Sequence, residues 1–311
     1  MLFIGPNLGA GGAERQWSIL LPGLRERGHD VHLLALDGGG PFLAPLQAAG
    51  VPAEVAGMRS QADVLPLLRA DGVRRFAPQV IVSRGVSGAW VGTALAAFRR
   101  AAHVFNEHRQ VGFELSPRRE AMMRLVARRL DLVVGVTPEQ GAAWVRRGVA
   151  LDQVLAIPNG VPAAAPDASR SAIRAELGID DTALVIVLTA SMRPEKRIPD
   201  FVHAVRRVHA QDARVLGLVI GDGAQRPAVE AAAQGSPAIR LLGQRSDVGR
   251  ILSACDVFAL TSAYEAVPMA ILEAMAAGLP VVATDVGALA TMVESEHTGL
   301  LVAPGDVDAI A

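Results

Sequence analysis

The chain is nearly without lysine. Of its 30 cationic residues 29 are arginine, and the other is Lys196. An ammonium acts on phosphate as a compact point charge, whereas arginine offers a planar fork, so the one departure from arginine marks a position to watch. Cysteine is equally scarce. Cys255 stands alone, which excludes an intrachain disulfide and a cysteine-based zinc site. It lies beside an expected core strand, where inert packing is its expected role. Aromatics make up only 4% of the residues, so the core must be built from Ala, Val, Leu and Ile. The arginines therefore lack the stacking partners of a nucleic-acid surface, and no nucleic acid is expected as a partner. No apolar run reaches the length of a membrane span, and no charged-then-apolar signal opens the chain. A cytoplasmic location follows as the expectation. No cluster with metal-ligand spacing is present.

What is present is ample apolar material. The 311 residues are 51% hydrophobic, enough for two α/β domains with their own cores. A net charge of −1 conceals two halves of opposite sign. Residues 1–162 carry 18 arginines and 13 acids, and residues 163–311 carry 12 cations and 18 acids. The basic first half suits an anionic partner such as a lipid surface or a phosphorylated acceptor, or is ordinary surface variation.

Strands and helices alternate from the start. Leu2–Gly5 reads as a strand, followed by a glycine-rich loop through Gly9, Gly11 and Gly12 and a helix to about Arg27. Strand, glycine loop and helix form a phosphate-cradling arrangement. The loop is neither the dinucleotide fingerprint, since Glu14 occupies the third glycine position, nor a Walker loop. Further strands are expected near Val31–Leu36, Val80–Ser83, Ala102–Asn106, Leu132–Val136 and Gln153–Ile157. The clearest helices are Gln61–Phe76, Ser87–Phe98 and Pro117–Leu130. The strands are apolar throughout, as in a parallel sheet covered on both faces. Ligands bind beyond the carboxyl ends of such strands, which makes His108, just after the strand ending at Asn106, a candidate site residue. The helix from Pro117 carries Arg118, Arg119, Arg124, Arg128 and Arg129 among apolar residues. That pattern suits either a solvated face or an anionic membrane.

Ile157-Pro158-Asn159-Gly160-Val161-Pro162 is dense in turn formers, and the small residues of Ala163–Ala168 read as a linker. A domain boundary is placed at 162/163. Strands then follow at Leu184–Leu188, Val215–Ile220 and Ile239–Gln244, with helices from about Pro199 and at Asp247–Leu252. The lone Lys196 falls in the loop after the first of these strands, where phosphate binds in such folds.

The stretch Asp256–Ala288 is a βαβ unit. Val257–Leu260 is a buried strand, Pro268 opens a helix, Gly278 and Pro280 close it, and Val281–Thr284 is the next strand. Glu273 is the only polar residue among the ten from Pro268 to Ala277. A helix apolar all round is expected to be buried, and a buried carboxylate is costly without a partner. Glu273 either meets water or an arginine at a gap in the core, or accepts hydrogen bonds from ligand hydroxyls. Glu265 precedes the same helix, and the amides of Val267, Pro268, Met269 and Ala270 surround a mouth suited to an anion. Of these four, proline contributes position but no N–H.

The spacing Glu265-x7-Glu273 within EAVPMAILEAMAAGLPVVA resembles the hallmark segment of the retaining glycosyltransferases of family 4. The Gly11-Gly12-Ala13-Glu14 loop, the IPNGV turn, Arg193-Pro194-Glu195-Lys196 and Gly221-Asp222-Gly223 resemble further segments of that family. Ser191 departs from it by standing where many relatives have arginine, as does Ala224 where they have proline. The resemblance implies a GT-B fold, two Rossmann-like domains with parallel sheets facing a central cleft. The first, residues 1–162, would lie on the acceptor side. The second, residues 163–311, would bind the nucleotide sugar.

It further implies metal-independent transfer of a sugar, with retention, from a nucleotide-diphosphate sugar to a glycan or lipid-linked acceptor. UDP or GDP is the expected carrier, as substrate rather than cofactor. By resemblance Glu265 lies at the donor sugar, Glu273 at the ribose, Lys196 and Arg193 at the diphosphate, and Gly243 beside the base. Gly11 and Gly12 would lie between acceptor and diphosphate, and His108 near the reacting centre. Family members usually continue past the point where this chain stops at Ala311, so an incomplete chain lacking its last helices is expected. A nucleotide-sugar epimerase and a non-catalytic nucleotide-sugar-binding protein are the alternatives on the same architecture. Peripheral association with the inner face of a membrane is the further expectation from the basic first half.

Overall fold

A computed structural model describes residues 1–60, 63, 65–109, 115–163 and 169–311. The chain divides into two compact units, Met1–Asn159 and Gly160–Ala311.

The first unit is built on seven strands: β1 (Leu2–Asn7), β2 (His32–Gly38), β3 (Ala53–Val55), β4 (Val80–Ser83), β5 (Ala102–Glu107), β6 (Leu132–Gly135) and β7 (Val154–Ala156). Their order is β3-β2-β1-β4-β5-β6-β7, and every pairing is parallel. The chain therefore runs outward from β1 on one side, then returns to start again at β4. The neighbours β1 and β4 mark the switch point, where the following loops diverge and leave a crevice.

Helices Gly12–Glu26 and Gly85–Arg99 follow those two strands. Gly88 allows the second to lie directly on β1, because a Cβ there would stand 2.8 Å from the carbonyl oxygen of Ile4. The long helix expected over Gln61–Phe76 is replaced by two short pieces, a 3-10 turn at Leu65–Arg69 and a helical turn at Asp71–Arg74. Glu54 Oε2 and Oε1 accept the backbone N–H groups of Asp71 and Gly72, which starts a fresh helix at that point. Gln61, Ala62 and Val64 lie outside the described residues, as does most of the expected linker, residues 164–168. The helix from Pro117 ends at Ala127, earlier than expected.

The second unit has six strands: β8 (Leu184–Thr189), β9 (Val215–Ile220), β10 (Ile239–Gly243), β11 (Val257–Leu260), β12 (Val281–Thr284) and β13 (Gly299–Val302). The order is β10-β9-β8-β11-β12-β13, again parallel throughout, with the switch point between β8 and β11. Each strand sends alternate side chains to opposite faces. Val187, Leu218 and Phe258 enter one apolar cluster, while Leu188, Val219 and Ala259 enter another on the far side. Both faces are covered, which explains why these strands are apolar without alternation.

One buried cation ties the unit's entry to its sheet. Arg174 is 1% exposed and donates to the carbonyl oxygens of Ala254, Asp180, Asp181 and Ala183 and to Asp256 Oδ2. The same Asp256 oxygen accepts the Val185 N–H at 2.7 Å, so the carboxylate joins the guanidinium to the start of β8. Cys255 is buried beside it, and burial pushes its thiol up to about 12.

Candidate active site

Two loops meet at the switch point of the second unit. One follows β8 and contains Arg193 to Arg197. The other follows β11 and contains Thr261 to Val267. Lys196 Nζ donates to Glu265 Oε1 at 2.5 Å, with the lysine side chain 18% exposed and the carboxylate 9%. The backbones are joined as well. Ala263 N donates to the Glu195 carbonyl at 2.7 Å, and Thr261 Oγ1 lies 3.0 Å and 3.1 Å from the carbonyls of Lys196 and Arg197. Arg197 adopts the left-handed conformation, φ 47°, unusual for a side-chain-bearing residue. The loop is thus held in a costly shape by contacts from the loop after β11, the neighbouring strand in the sheet.

Glu265 is fixed from a third side. Ser262 Oγ lies 2.7 Å from the same Oε1, and Thr284 Oγ1 at the end of β12 donates to the Ser262 carbonyl at 2.6 Å. Behind them Gly287 has φ 59°, and a Cβ on it would fall 1.9 Å from the Glu265 carbonyl oxygen. Only glycine permits this approach.

The helix Met269–Ala276 begins four residues beyond Glu265, with Pro268 as its extended N-cap rather than its first residue. The first-turn amides of such a helix have no intrahelical acceptor and present partial positive charge. The helix is not buried all round. Met269, Ile271 and Ala274 form its buried stripe, while Ala270 and Glu273 are half-buried. Small residues let an apolar helix lie partly open without a large exposed patch, and Glu273 occupies that open side. It ends at Gly278, φ 76°, with Leu279 N donating back to the Ala274 carbonyl, a glycine-closed terminus of the usual kind.

The remaining residues singled out in the second unit sit at strand ends. Arg193 is exposed, its guanidinium 3.9 Å from Glu195. Gly243 ends β10 with φ 66°, and its carbonyl accepts from Gly221 N at 2.8 Å. Met192 accepts and donates backbone bonds with Gln225 and Asp222, so the turns after β8 and β9 are laced together.

The first unit carries Gly11, Gly12 and His108. Gly11 caps the helix that starts at Gly12, and Gly9 N folds onto Asn7 Oδ1 at 3.0 Å. His108 Nε2 lies 2.8 Å from Asn106 Oδ1. Asn106 Nδ2 faces the Val134 carbonyl and its Oδ1 also accepts from Trp17 Nε1, so its oxygen is turned toward the histidine. This arrangement assigns the proton to Nε2 and the lone pair to Nδ1. Burial first, and the nearby Arg84 charge second, lower the His108 pKa to about 4 against the opposing pull of Glu107. The imidazole is neutral at physiological pH.

Sequence reasoning missed the pair that supports this corner. Arg84, 7% exposed, donates to Glu14 Oε1 at 2.6 Å and to the Asn7 carbonyl at 3.0 Å, and lies over the Trp17 ring. Arg84 follows β4 and Glu14 follows β1, so strand order would have brought them together. Ser262 was missed too. Its only sequence signal was its place three residues before Glu265.

Two doubly wound parallel sheets, one in each unit, define the GT-B fold. The chain belongs to Glycosyltransferase Family 4, which residues 10–165 match, while residues 183–311 match the family described as Glycosyl transferases group 1. It is 28% identical over 166 residues to the UDP-Gal:alpha-D-GlcNAc-diphosphoundecaprenol alpha-1,3-galactosyltransferase of Escherichia coli, covering 50% of this chain and 43% of that one. Identity to the D-inositol 3-phosphate glycosyltransferase of Stackebrandtia nassauensis is 34% over 166 residues, 49% of this chain and 38% of that one. The chain thus spans about two fifths of the length of these relatives. Among solved structures, Anabaena HepE in complex with UDP and glucose superposes with a TM-score of 0.82 at 24% identity, over 99% of this chain and 88% of that one. Among the described residues no helix is long and apolar enough to cross a membrane.

Proposed function

We propose that the chain transfers a sugar from a nucleotide-diphosphate sugar to a glycan or lipid-linked acceptor, with retention of configuration. The observation that carries this reading is the Lys196–Glu265 pair, set across the switch point of the second sheet beside the mouth of the helix Met269–Ala276. An ammonium and outward-facing amides suit a diphosphate, and the adjoining carboxylate suits sugar hydroxyls.

In this reading residues 163–311 hold the donor. Lys196, with Arg193 and the backbone at 267–270, stabilises the charge that develops on the departing diphosphate. Glu265 orients the donor sugar, Glu273 accepts from the ribose and Gly243 lies beside the base. Residues 1–162 take the acceptor side, with Gly11 and Gly12 near the diphosphate. His108 acts at the reacting centre as a neutral imidazole that accepts through Nδ1. UDP is the favoured carrier, since the Escherichia coli relative is named for a UDP-sugar and HepE is described with UDP. Both curated relatives are named as transferases, which favours transfer over epimerisation. The arginine-rich helix Pro117–Ala127 supports peripheral contact with an anionic membrane, where a lipid-linked acceptor would reside, from a cytoplasmic location.

A thermal-shift screen against UDP, GDP, ADP and their common sugar conjugates tests the donor site. A ligand at a hundred times its dissociation constant adds about 2.7 kcal/mol of stability. The expected result is a shift with one nucleotide that disappears in Lys196→Ala, followed by transfer from that nucleotide's sugar. No shift with any nucleotide would sink the reading.

A further inference from the structure

The carboxylate of Glu265 is asymmetric. Both side-chain contacts, from Lys196 Nζ at 2.5 Å and Ser262 Oγ at 2.7 Å, fall on Oε1. Among the described residues Oε2 receives none. These two donors differ in kind. Lys196 reaches in on a flexible four-carbon stem, and a diphosphate would compete for its charge. Ser262 is 0% exposed, on the short backbone segment directly after β11, and cannot follow a ligand. Its carbonyl is clamped by the fully buried Thr284 at the end of β12. Thr284 and Ser262 therefore form a relay from the end of β12 to one oxygen of Glu265.

We infer that Ser262 is a positioning residue, held by Thr284, that fixes the Glu265 carboxylate so that Oε2 faces the transferred sugar when Lys196 turns to the diphosphate. The inference rests on the donor-site reading above. It separates the two contacts by timing. The lysine is shared between carboxylate and ligand, whereas the serine stays on Oε1 throughout. Without the serine hydroxyl, a Glu265 side chain that has lost its lysine to the ligand has no donor on Oε1, and its rotamer is no longer set. The loss falls on the sugar and spares the nucleotide.

The test compares dissociation constants for UDP and UDP-glucose, and for GDP and GDP-mannose, in wild type, Ser262→Ala and Thr284→Val. A hydrogen bond to a charged group is commonly worth about tenfold in affinity. In Ser262→Ala the sugar nucleotide is expected to weaken about tenfold relative to its own diphosphate, with diphosphate affinity held within about twofold. Thr284→Val, nearly the same in shape, is expected to give a smaller change of the same sign, and carries the test if Ser262→Ala does not fold. An equal loss for diphosphate and sugar nucleotide, or no change in either, overturns the inference in favour of a purely structural serine. A wild-type chain that binds none of the four retires the donor-site reading itself, and the inference with it.

Discussion

Lys196 and Glu265, 69 residues apart in sequence, share one hydrogen bond of 2.5 Å at the junction of β8 and β11. Each partner is the other's main compensation for lost water. Breaking such a pair from one side leaves a poorly solvated charge, whereas removing both leaves none. Lys196→Met and Glu265→Gln alone are each expected to cost about 2 kcal/mol of stability. The double variant is expected to cost less than their sum. Urea unfolding of the four proteins in a double-mutant cycle measures the coupling; strict additivity would mean that the pair is energetically idle.

Glu273 and His108 should separate binding from turnover. Glu273→Ala is expected to weaken donor binding by at least about tenfold, the worth of a charged hydrogen bond. His108→Ala is expected to lower turnover more than affinity. Because the imidazole stays neutral down to about 4, the turnover profile of the wild type should show no inflection near the ordinary histidine pKa. Titration calorimetry and a pH–rate series check these in turn, and an unchanged donor affinity in Glu273→Ala removes it from the ribose.

Acid should destabilise the first unit through His103, added to the like contribution of His108. His103 is 0% exposed, its ring between Ser83 and Thr93 and its backbone N–H donating to Asp131 Oδ2. Burial lowers its pKa to about 4, against the opposing pull of Asp131. The unfolded chain takes up the proton near the ordinary value of about 6.5, so stability is complete above that pH and declines as pH falls toward about 4. The full loss is about 3 kcal/mol. Urea midpoints at about pH 7.5 and about pH 5 should differ in the wild type and differ less in His103→Gln.

Gly287→Ala should disturb Glu265 through the backbone. The new methyl meets a carbonyl oxygen at 1.9 Å on a residue with φ 59°. A loss of about 2 kcal/mol or more is expected, together with weaker sugar-nucleotide binding. A melting curve equal to wild type would contradict the close approach.

Cys255 should resist alkylation. Its thiol is buried, donates to the Ile251 carbonyl and is pushed up to about 12. Iodoacetamide is expected to label it only as fast as the second unit opens. Rapid labelling of the folded protein at neutral pH would show that the surrounding core is looser than its packing implies.

Much of this was legible from sequence. Unbroken apolar runs such as Val215–Ile220 announced parallel strands, and the positions of Lys196, Glu265 and His108 after strands followed from the alternation of elements. The lone lysine drew attention to the loop after β8, which the structure sets against Glu265. Three-dimensional partnerships were not legible. Nothing in the order of residues says that Glu265 would satisfy Lys196, because that depends on β8 and β11 becoming neighbours through a crossover. The Arg84–Glu14 pair was hidden for the same reason. The helix after Pro268 misled in another way. Its residues are so small and apolar that periodicity could not tell a buried cylinder from one that covers its sheet with a single stripe. The false helix over Gln61–Phe76 arose because Glu54, a residue of β3 remote in sequence, supplies the acceptors that start a new turn at Asp71.

The scarcity of lysine has a practical reach. A chain with one side-chain amine carries its own reporter, and here that amine lies against a carboxylate at the candidate donor site. Acylating reagents that ignore guanidinium groups would modify this side chain and one further amine, the α-amino group of Met1, which burial holds below its ordinary pKa. Their rate at Lys196 would read directly how often it leaves Glu265, and any anion that occupies the ammonium would register as protection. The arginines scattered over both units would stay silent, so once peptide mapping separates the Met1 amine, the chemistry of a single bond would be visible.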